Sequence, residues 1–387
     1  MYFTSPNLVH YLIDHGKISR SAVVEGDFQV YELDSHNRCF KVRCRNHPSL
    51  FVKQIKVINA RNIECLEREA ACYRLARTDE RFAPLKQIMP RFVDYDTERY
   101  AVIVELLPNG EDVRDCHRRL GAFPIEIGDL LGRRLGEFHA DLGRTLNASN
   151  SAADVPRETP WIPPEQFNGS TVQRFNVFPR ESPWILSVHR GSNVETGTAA
   201  QLTDILRQDA DCLQALDAIR AAWRLDSLIH GDLKWDNCIV SQGPAGDLDF
   251  RVVDWELADL GDSAWDVGTV IQSYWSHVFL STLPGTENTP QEFIEQSESR
   301  LDSMRPAVLA FWNAYRSARG FGGDRAAEFL TRSVRYAAAR MIQSSYEYAG
   351  ARGQVINRAS AIFQVGCDLL KNSQRSRPWL LGLATRD

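Results

Sequence analysis

The sequence predicts an α+β chain in two parts: a small antiparallel sheet with one main helix over residues 1–108, and a large, mostly helical part over 109–387. Three observations lead there. Strand-like alternation fills 28–54 and returns at 91–104, with one amphipathic stretch at 61–77 between them. Beyond Gly110, apolar residues recur at helical spacing for most of the remaining chain. Within that helical part lies a short polar loop, 228–240, reading Leu-Ile-His-Gly-Asp-Leu-Lys-Trp-Asp-Asn-Cys-Ile-Val, answered by Asp254-Trp255-Glu256. At 387 residues the chain exceeds one core, since domains run to roughly 150 residues.

Taken in order, 6–15 has Leu8, Tyr11 and Leu12 at helical spacing and Gly16 as a stop. Three strands follow, 28–33, 39–44 and 50–53, with a polar turn at 34–38 and His47-Pro48 between the last two. The helix at 61–77 carries Ile63, Leu66, Ala70 and Tyr73 on one stripe. Two more strands, around 91–95 and 100–104, complete the sheet, and 105–108 connects it to the second part.

Helices are then expected at 125–142, 201–223, 267–274, 290–315, 325–348 and 356–371. His139, on the first of these, is read as a core or capping residue. The stretch 147–193 is rich in proline and aromatics, which exclude both a long helix and a floppy linker. It is read as an ordered insertion near the acceptor site, or as a surface-packing element.

The 228–256 region describes a phosphoryl-transfer centre. Such chemistry rests on positioning and charge neutralisation, because the moving group passes through a loose transition state. Asp232, on a short loop, suits the base that takes the acceptor hydroxyl's proton. Asn237, five positions later, matches the spacing of a kinase catalytic loop and offers an oxygen to a metal. Asp254 is the carboxylate expected to bridge Mg²⁺, a small hard cation that prefers oxygen ligands, to the nucleotide phosphates. Four carboxylates, Asp232, Asp236, Asp254 and Glu256, crowd this segment and are expected to repel one another without a cation.

His230-Gly231-Asp232, Asn237, Asp254-Trp255-Glu256 and the run Gly261-Asp262-Ser-Ala-Trp265-Asp266 together resemble the aminoglycoside phosphotransferase and choline kinase branch of the protein kinase-like superfamily. The resemblance implies a bilobal kinase-like fold, ATP or another NTP as phosphate donor, and Mg²⁺. It places Lys53, at the end of a strand, on the α- and β-phosphates, with Glu69 rather than Glu64 or Glu67 holding its amine. It places Ser35, Asn37 and Arg38 in the loop over the phosphates, although that loop lacks the glycines of protein kinases and equally suits an ordinary hairpin turn. Main-chain groups of Glu105 and Leu107 are expected at the adenine, with Ile239 beneath it. Lys234 is expected at the γ-phosphate, where many antibiotic kinases carry His. Asp266 is expected to accept backbone amides of the catalytic loop, and His230 to anchor that loop.

The resemblance also shapes the acceptor. Only twelve positions separate Asp254 from Asp266 and no Ala-Pro-Glu follows, so no activation segment is present and a small-molecule hydroxyl is expected. Two alternatives stay open: a Ser/Thr kinase acting on a precursor peptide in natural-product biosynthesis of the lanthipeptide kind, and a nucleotide-binding pseudokinase.

Composition excludes other classes. Hydrophobic content of 43% and charged content of 25% describe a globular protein, not a disordered one. The net charge of −5 argues against a nucleic-acid partner. The 8 Cys are scattered, with neither a Cys-x-x-Cys pair nor zinc spacing, as reduced thiols of a cytoplasmic protein would be. No apolar run approaches membrane length, and the N-terminus has no secretory pattern, so neither export nor a membrane is expected.

Overall fold

A computed structural model describes residues 2–148, 178–190, 197–243, 246–282, 290–352 and 356–373. Most of the proline-rich stretch at 147–193 lies outside them. The chain forms two compact units, one built from Met1–Val113 and Asn237–Ala258, the other from Arg114–Ala148, Pro179–Asp236 and the chain from Asp259.

In the first unit, β1 (Phe28–Leu33), β2 (Arg38–Cys44), β3 (Leu50–Gln54), β4 (Phe92–Asp96) and β5 (Ala101–Glu105) make one antiparallel sheet in the order β1-β2-β3-β5-β4. Helix α1 (Ser5–Asp14) starts at a capping box in which Thr4 and Asn7 satisfy each other's backbone amides. Its Leu8, Tyr11 and Leu12 join Phe40, Val42, Leu50, Val52 and Ile103 in one core on a face of the sheet. A short helix, α2 (Arg20–Val24), follows it.

Helix α3 (Ala60–Thr78) is capped by Asn59, whose side chain accepts the Asn62 amide at 2.8 Å. Tyr73 on this helix stacks on Phe92 of β4. Helix α4 (Ala83–Ile88) leads into β4. A second sheet, β6 (Glu111–Asp112) with β8 (Cys238–Gln242) and β9 (Leu248–Val252), completes the unit.

The second unit is helical apart from the paired β7 (Ser227–Ile229) and β10 (Asp259–Gly261). Its helices are α5 (Val113–Leu120), α6 (Ile125–Ala148), α7 (Thr198–Gln208), α8 (Ala210–Ala221), α9 (Ser263–Thr282), α10 (Pro290–Ala318), α11 (Gly323–Arg352) and α12 (Ile356–Lys371). The antiparallel sheet and the mostly helical remainder are those the sequence predicts. One expectation is corrected: 201–223 is two helices, not one. Asp209 breaks the run because its carboxylate accepts the Cys212 amide at 3.0 Å and so starts a new helix.

The long helices α6 and α10 approach through glycines spaced four apart. A Cβ on Gly128 or Gly132 would overlap the carbonyl oxygens of Ala307 and Phe311, and one on Gly136 would lie 2.8 Å from that of Tyr315. This contact holds His139, one turn beyond Gly136, at the centre of the unit, with no exposed surface. Gly132→Val should therefore lower stability by at least roughly 1–3 kcal/mol, through overpacking against a backbone that cannot yield. Gly322→Ala, into open space, should change it by less than about 0.5 kcal/mol. Urea midpoints of the two variants test this.

Candidate active site

In the first unit the site is organised around one ammonium group. Lys53 lies on β3, the central strand, flanked by Cys39 of β2 and Val102 of β5. Its side chain is only 8% exposed. The Nζ donates to Glu69 at 2.8 Å, to Glu256 at 2.8 Å and to Asp254. Glu69 reaches it from the buried face of α3, whereas Glu64 does not lie on that face. Burial opposes the charge on Lys53, but the three carboxylates outweigh it and hold the ammonium well above its ordinary range. Glu69 is pushed upward by its own burial, against the pull of Lys53.

Asp254 and Asn237 are brought together by the β8–β9 hairpin. Cys238 pairs with Val252, and the Val253 amide donates to the Asn237 carbonyl at 3.0 Å, so Asn237 ends one strand where Asp254 leaves the other. Asp254 has a left-handed backbone, φ 68° and ψ 54°, which an Asp tolerates better than most residues. The turn Trp255–Leu257 then directs Glu256 back to Lys53, with Trp255 buried and donating to Val252 O at 2.9 Å. Carboxylate oxygens of Glu69, Asp254 and Glu256 lie within 4.8 Å of one another. Three carboxylates against one ammonium leave a negative surplus, and the three donors are all oxygen, which fits a hard divalent cation.

The residues expected around the nucleotide have mixed geometry. Ser35 is in the β1–β2 turn, where its hydroxyl donates to Asn37 O at 2.8 Å and lies 3.4 Å from Cys39 Sγ. Arg38 is turned toward the N-terminus and donates to Phe3 O at 2.7 Å. In the 105–108 connection the Glu105 and Leu106 amides donate to Arg91 O and Ser49 O, each at 2.8 Å. Among the described residues the Leu107 amide has no such acceptor. Ile239, on β8, packs where a Cβ on Gly110 would lie 2.9 Å from its Cγ2.

In the second unit the loop after β7 carries Asp232 and Lys234. The loop is fixed by Asp266, whose carboxylate accepts the His230 amide at 2.7 Å and the Gly231 amide at 3.0 Å. His139 lies 3.3 Å from the same carboxylate and 3.0 Å from the Tyr315 hydroxyl. Trp265 Nε1 donates to Gly231 O at 2.8 Å. These contacts give Asp266 and His139 the structural parts the sequence suggests.

Asp232 is held by two cations. Lys234 Nζ lies 2.7 Å from Oδ2, and Arg340 of α11 donates to Oδ1 at 2.6 Å. Burial opposes ionisation of Asp232, but the guanidinium and the ammonium overcome it and keep the carboxyl below its usual range. Arg340, with a side chain 2% exposed, also donates to Glu347 at 2.7 Å. Asp236 is paired with Arg114 at 2.7 Å. The repulsion expected of four carboxylates is thus relieved differently in each unit. Asp232 and Asp236 have their own protein cations, while Asp254 and Glu256 share one with Glu69.

Arg340, Arg114 and Glu347 escape the sequence reading. Arg340 had a signal: it interrupts the fully buried run Ala337, Ala338, Ala339, Met341 and Ile342. A charge inside an apolar stripe needs a buried partner.

Behind the loop, Trp235 is buried against His117, ring centroids 4.4 Å apart, with Phe123 and Tyr274 alongside. Among the described residues neither His117 ring nitrogen has a hydrogen-bond partner. Burial, with His277 nearby, pushes His117 down to about 4 from an ordinary 6.5. The unfolded chain therefore binds a proton at higher pH than the folded one. Stability is fully present above about pH 6.5 and is lost as pH falls toward 4. His117→Phe should remove on the order of 1–2 kcal/mol of the stability difference between pH 7.5 and pH 5, read from urea unfolding at both pH values.

A family model described as the phosphotransferase enzyme family matches residues 56–321. The chain belongs to that family and is a phosphotransferase. Similar solved structures include a putative aminoglycoside phosphotransferase from Ralstonia eutropha JMP134, 13% identical, covering 97% of this chain and 99% of that one, with TM-score 0.46. They also include the GDP complex of wild-type aminoglycoside 2'-phosphotransferase-IIIa, 14% identical, covering 95% and 99%, with TM-score 0.46. A glucosamine kinase in complex with glucosamine, ADP and inorganic phosphate is 16% identical, covering 92% and 85%, with TM-score 0.45. No curated protein matches the chain. Among the described residues no helix is long and apolar enough to cross a membrane.

Proposed function

We propose that this phosphotransferase moves the γ-phosphate of ATP, or of another NTP, to a hydroxyl of a small-molecule acceptor. The observation that carries the proposal is the setting of Asp232: half-buried, gripped and oriented by Arg340 and Lys234, which hold its carboxyl below the usual range. Asp232 takes the acceptor's proton as its oxygen bonds to phosphorus and the nucleoside diphosphate leaves.

Lys53, fixed by Glu69, carries the positive charge for the donor phosphates. Asn237 and Asp254 would hold Mg²⁺, and the negative surplus around Lys53 supports that assignment. Bound there, the ion would supply charge neutralisation to the phosphate oxygens. The Leu107 amide, without a protein acceptor among the described residues, suits a hydrogen bond to the base. Ser35, Asn37 and Ile239 are assigned to the nucleotide as well, and Lys234 to the transferred phosphate. Retention of Lys53, Glu69, Asp232, Asn237 and Asp254 in ordered, charge-matched positions favours turnover over a pseudokinase.

Two measurements test the assignment. Asp232→Ala should lower turnover by roughly 10²–10⁴-fold while nucleotide binding persists; unchanged turnover would remove the assigned base. Asp254→Asn keeps a residue that accepts the left-handed backbone, so its expected loss of Mg²⁺-dependent nucleotide binding cannot be ascribed to strain. Calorimetry of nucleotide binding with and without Mg²⁺ reads it, and equal Mg²⁺ dependence in both proteins would refute it. The acceptor itself would come from a mass screen for gain of one phosphate across metabolites, with precursor peptides as a second arm.

A further inference from the structure

The helical unit contains a cavity of about 310 Å³ whose wall is strongly cationic. Five arginines line it, Arg144, Arg224, Arg319, Arg325 and Arg332, against two acids, Asp226 and Glu328. Three of the five are matched. Arg332 lies 2.8 Å from Asp262, Arg224 lies 2.6 Å from Glu328, and Arg144 pairs with Asp141.

Arg319 and Arg325 differ from these. Among the described residues neither is within salt-bridge reach of a carboxylate. Both guanidinium groups lie over the ring of Phe321, 5.0 Å and 4.5 Å from its centroid, and share it. Stacking orients them but leaves their in-plane N–H groups for other acceptors. Arg319 Nη1 is buried with no hydrogen-bond partner. A buried donor left unmade in this way is costly, more so on a charged group. Two like-charged side chains held on one ring beside a hollow, one with a buried orphan donor, make a site suited to an anion.

We propose that this cavity binds a small phosphate-bearing anion, with Arg319 and Arg325 as its principal ligands. Guanidinium groups match phosphate oxygens in charge and in donor geometry, and the concave wall favours a compact ligand over a polymer. None of its lining residues is assigned to phosphate transfer. It is nonetheless close to their support, because His139 forms part of the cavity wall and also contacts Asp266, the acceptor of the His230 and Gly231 amides.

The test is calorimetric titration of the full chain with inorganic pyrophosphate in a chelator, comparing wild type, R319Q/R325Q and K53M. K53M, in which the nucleotide site's own pull on diphosphate is removed, should still bind pyrophosphate, and R319Q/R325Q should bind it at least about tenfold more weakly than K53M, while its nucleotide affinity and circular dichroism stay those of wild type. If the double variant does not fold, R325Q alone, at an exposed position, should show a weaker loss in the same direction. Equal pyrophosphate affinity in the arginine variants and K53M, no binding by wild type, or loss of binding in K53M would each overturn the proposal. None of these readings depends on catalysis, so failure of the assigned transfer reaction would leave the result interpretable.

Discussion

One buried ammonium facing three carboxylates is the constraint on which the first unit depends. Removing charges from water is costly, and a buried ion pair is tolerated only when its partners are held in good geometry. Lys53 meets that condition because its strand is central in the sheet, Glu69 comes from a capped helix, and Asp254 and Glu256 come from a turn that follows the β8–β9 hairpin. The arrangement is nevertheless unbalanced by charge. The surplus of carboxylates leaves the cluster net negative, the charge balance on which the proposed cation assignment rests, and the same carboxylates fix the lysine in place.

The second unit solves the opposite problem. There a single carboxylate, Asp232, has two cations on it, and the backbone that presents it is tied down by another carboxylate, Asp266, through two amides. His139 depends on the glycine seam between α6 and α10, so the position of the loop that carries Asp232 is linked to helix packing rather than to loop chemistry alone. This makes Gly128, Gly132 and Gly136 part of the support of the site, although none touches it.

Much of this was legible in the sequence because the signals were local. Alternation and turn residues gave the five strands, and Asp-Trp-Glu with His-Gly-Asp marked the two loops to which the proposed function assigns its residues. Glu69 was separable from its neighbours only through resemblance, since three glutamates on one helix have similar local signatures; the structure distinguishes them by burial. The break at Asp209 was missed because an N-cap within a continuous amphipathic pattern reads as one more polar residue. Arg340 was missed for a different reason. Its partner is 108 residues away, and no periodicity rule pairs a helix residue with a loop at that separation. Its one local trace was a charge within a buried alanine run.

In the proposed role of Asp232 as base, its two cations also bear on how the carboxylate would act. Holding its proton affinity low makes it a weak base toward a free alcohol, whose proton it would not remove before bond formation. In a loose transition state little charge develops on the attacking oxygen until bonding to phosphorus is advanced, and only then does the hydroxyl become acidic enough to release its proton. A base that is ionised at every physiological pH and rigidly oriented is then more useful than a strong one: it aligns the hydroxyl early and receives the proton late. Arg340 and Lys234 favour that division of labour, because they fix the orientation of the carboxylate at the same time as they weaken it.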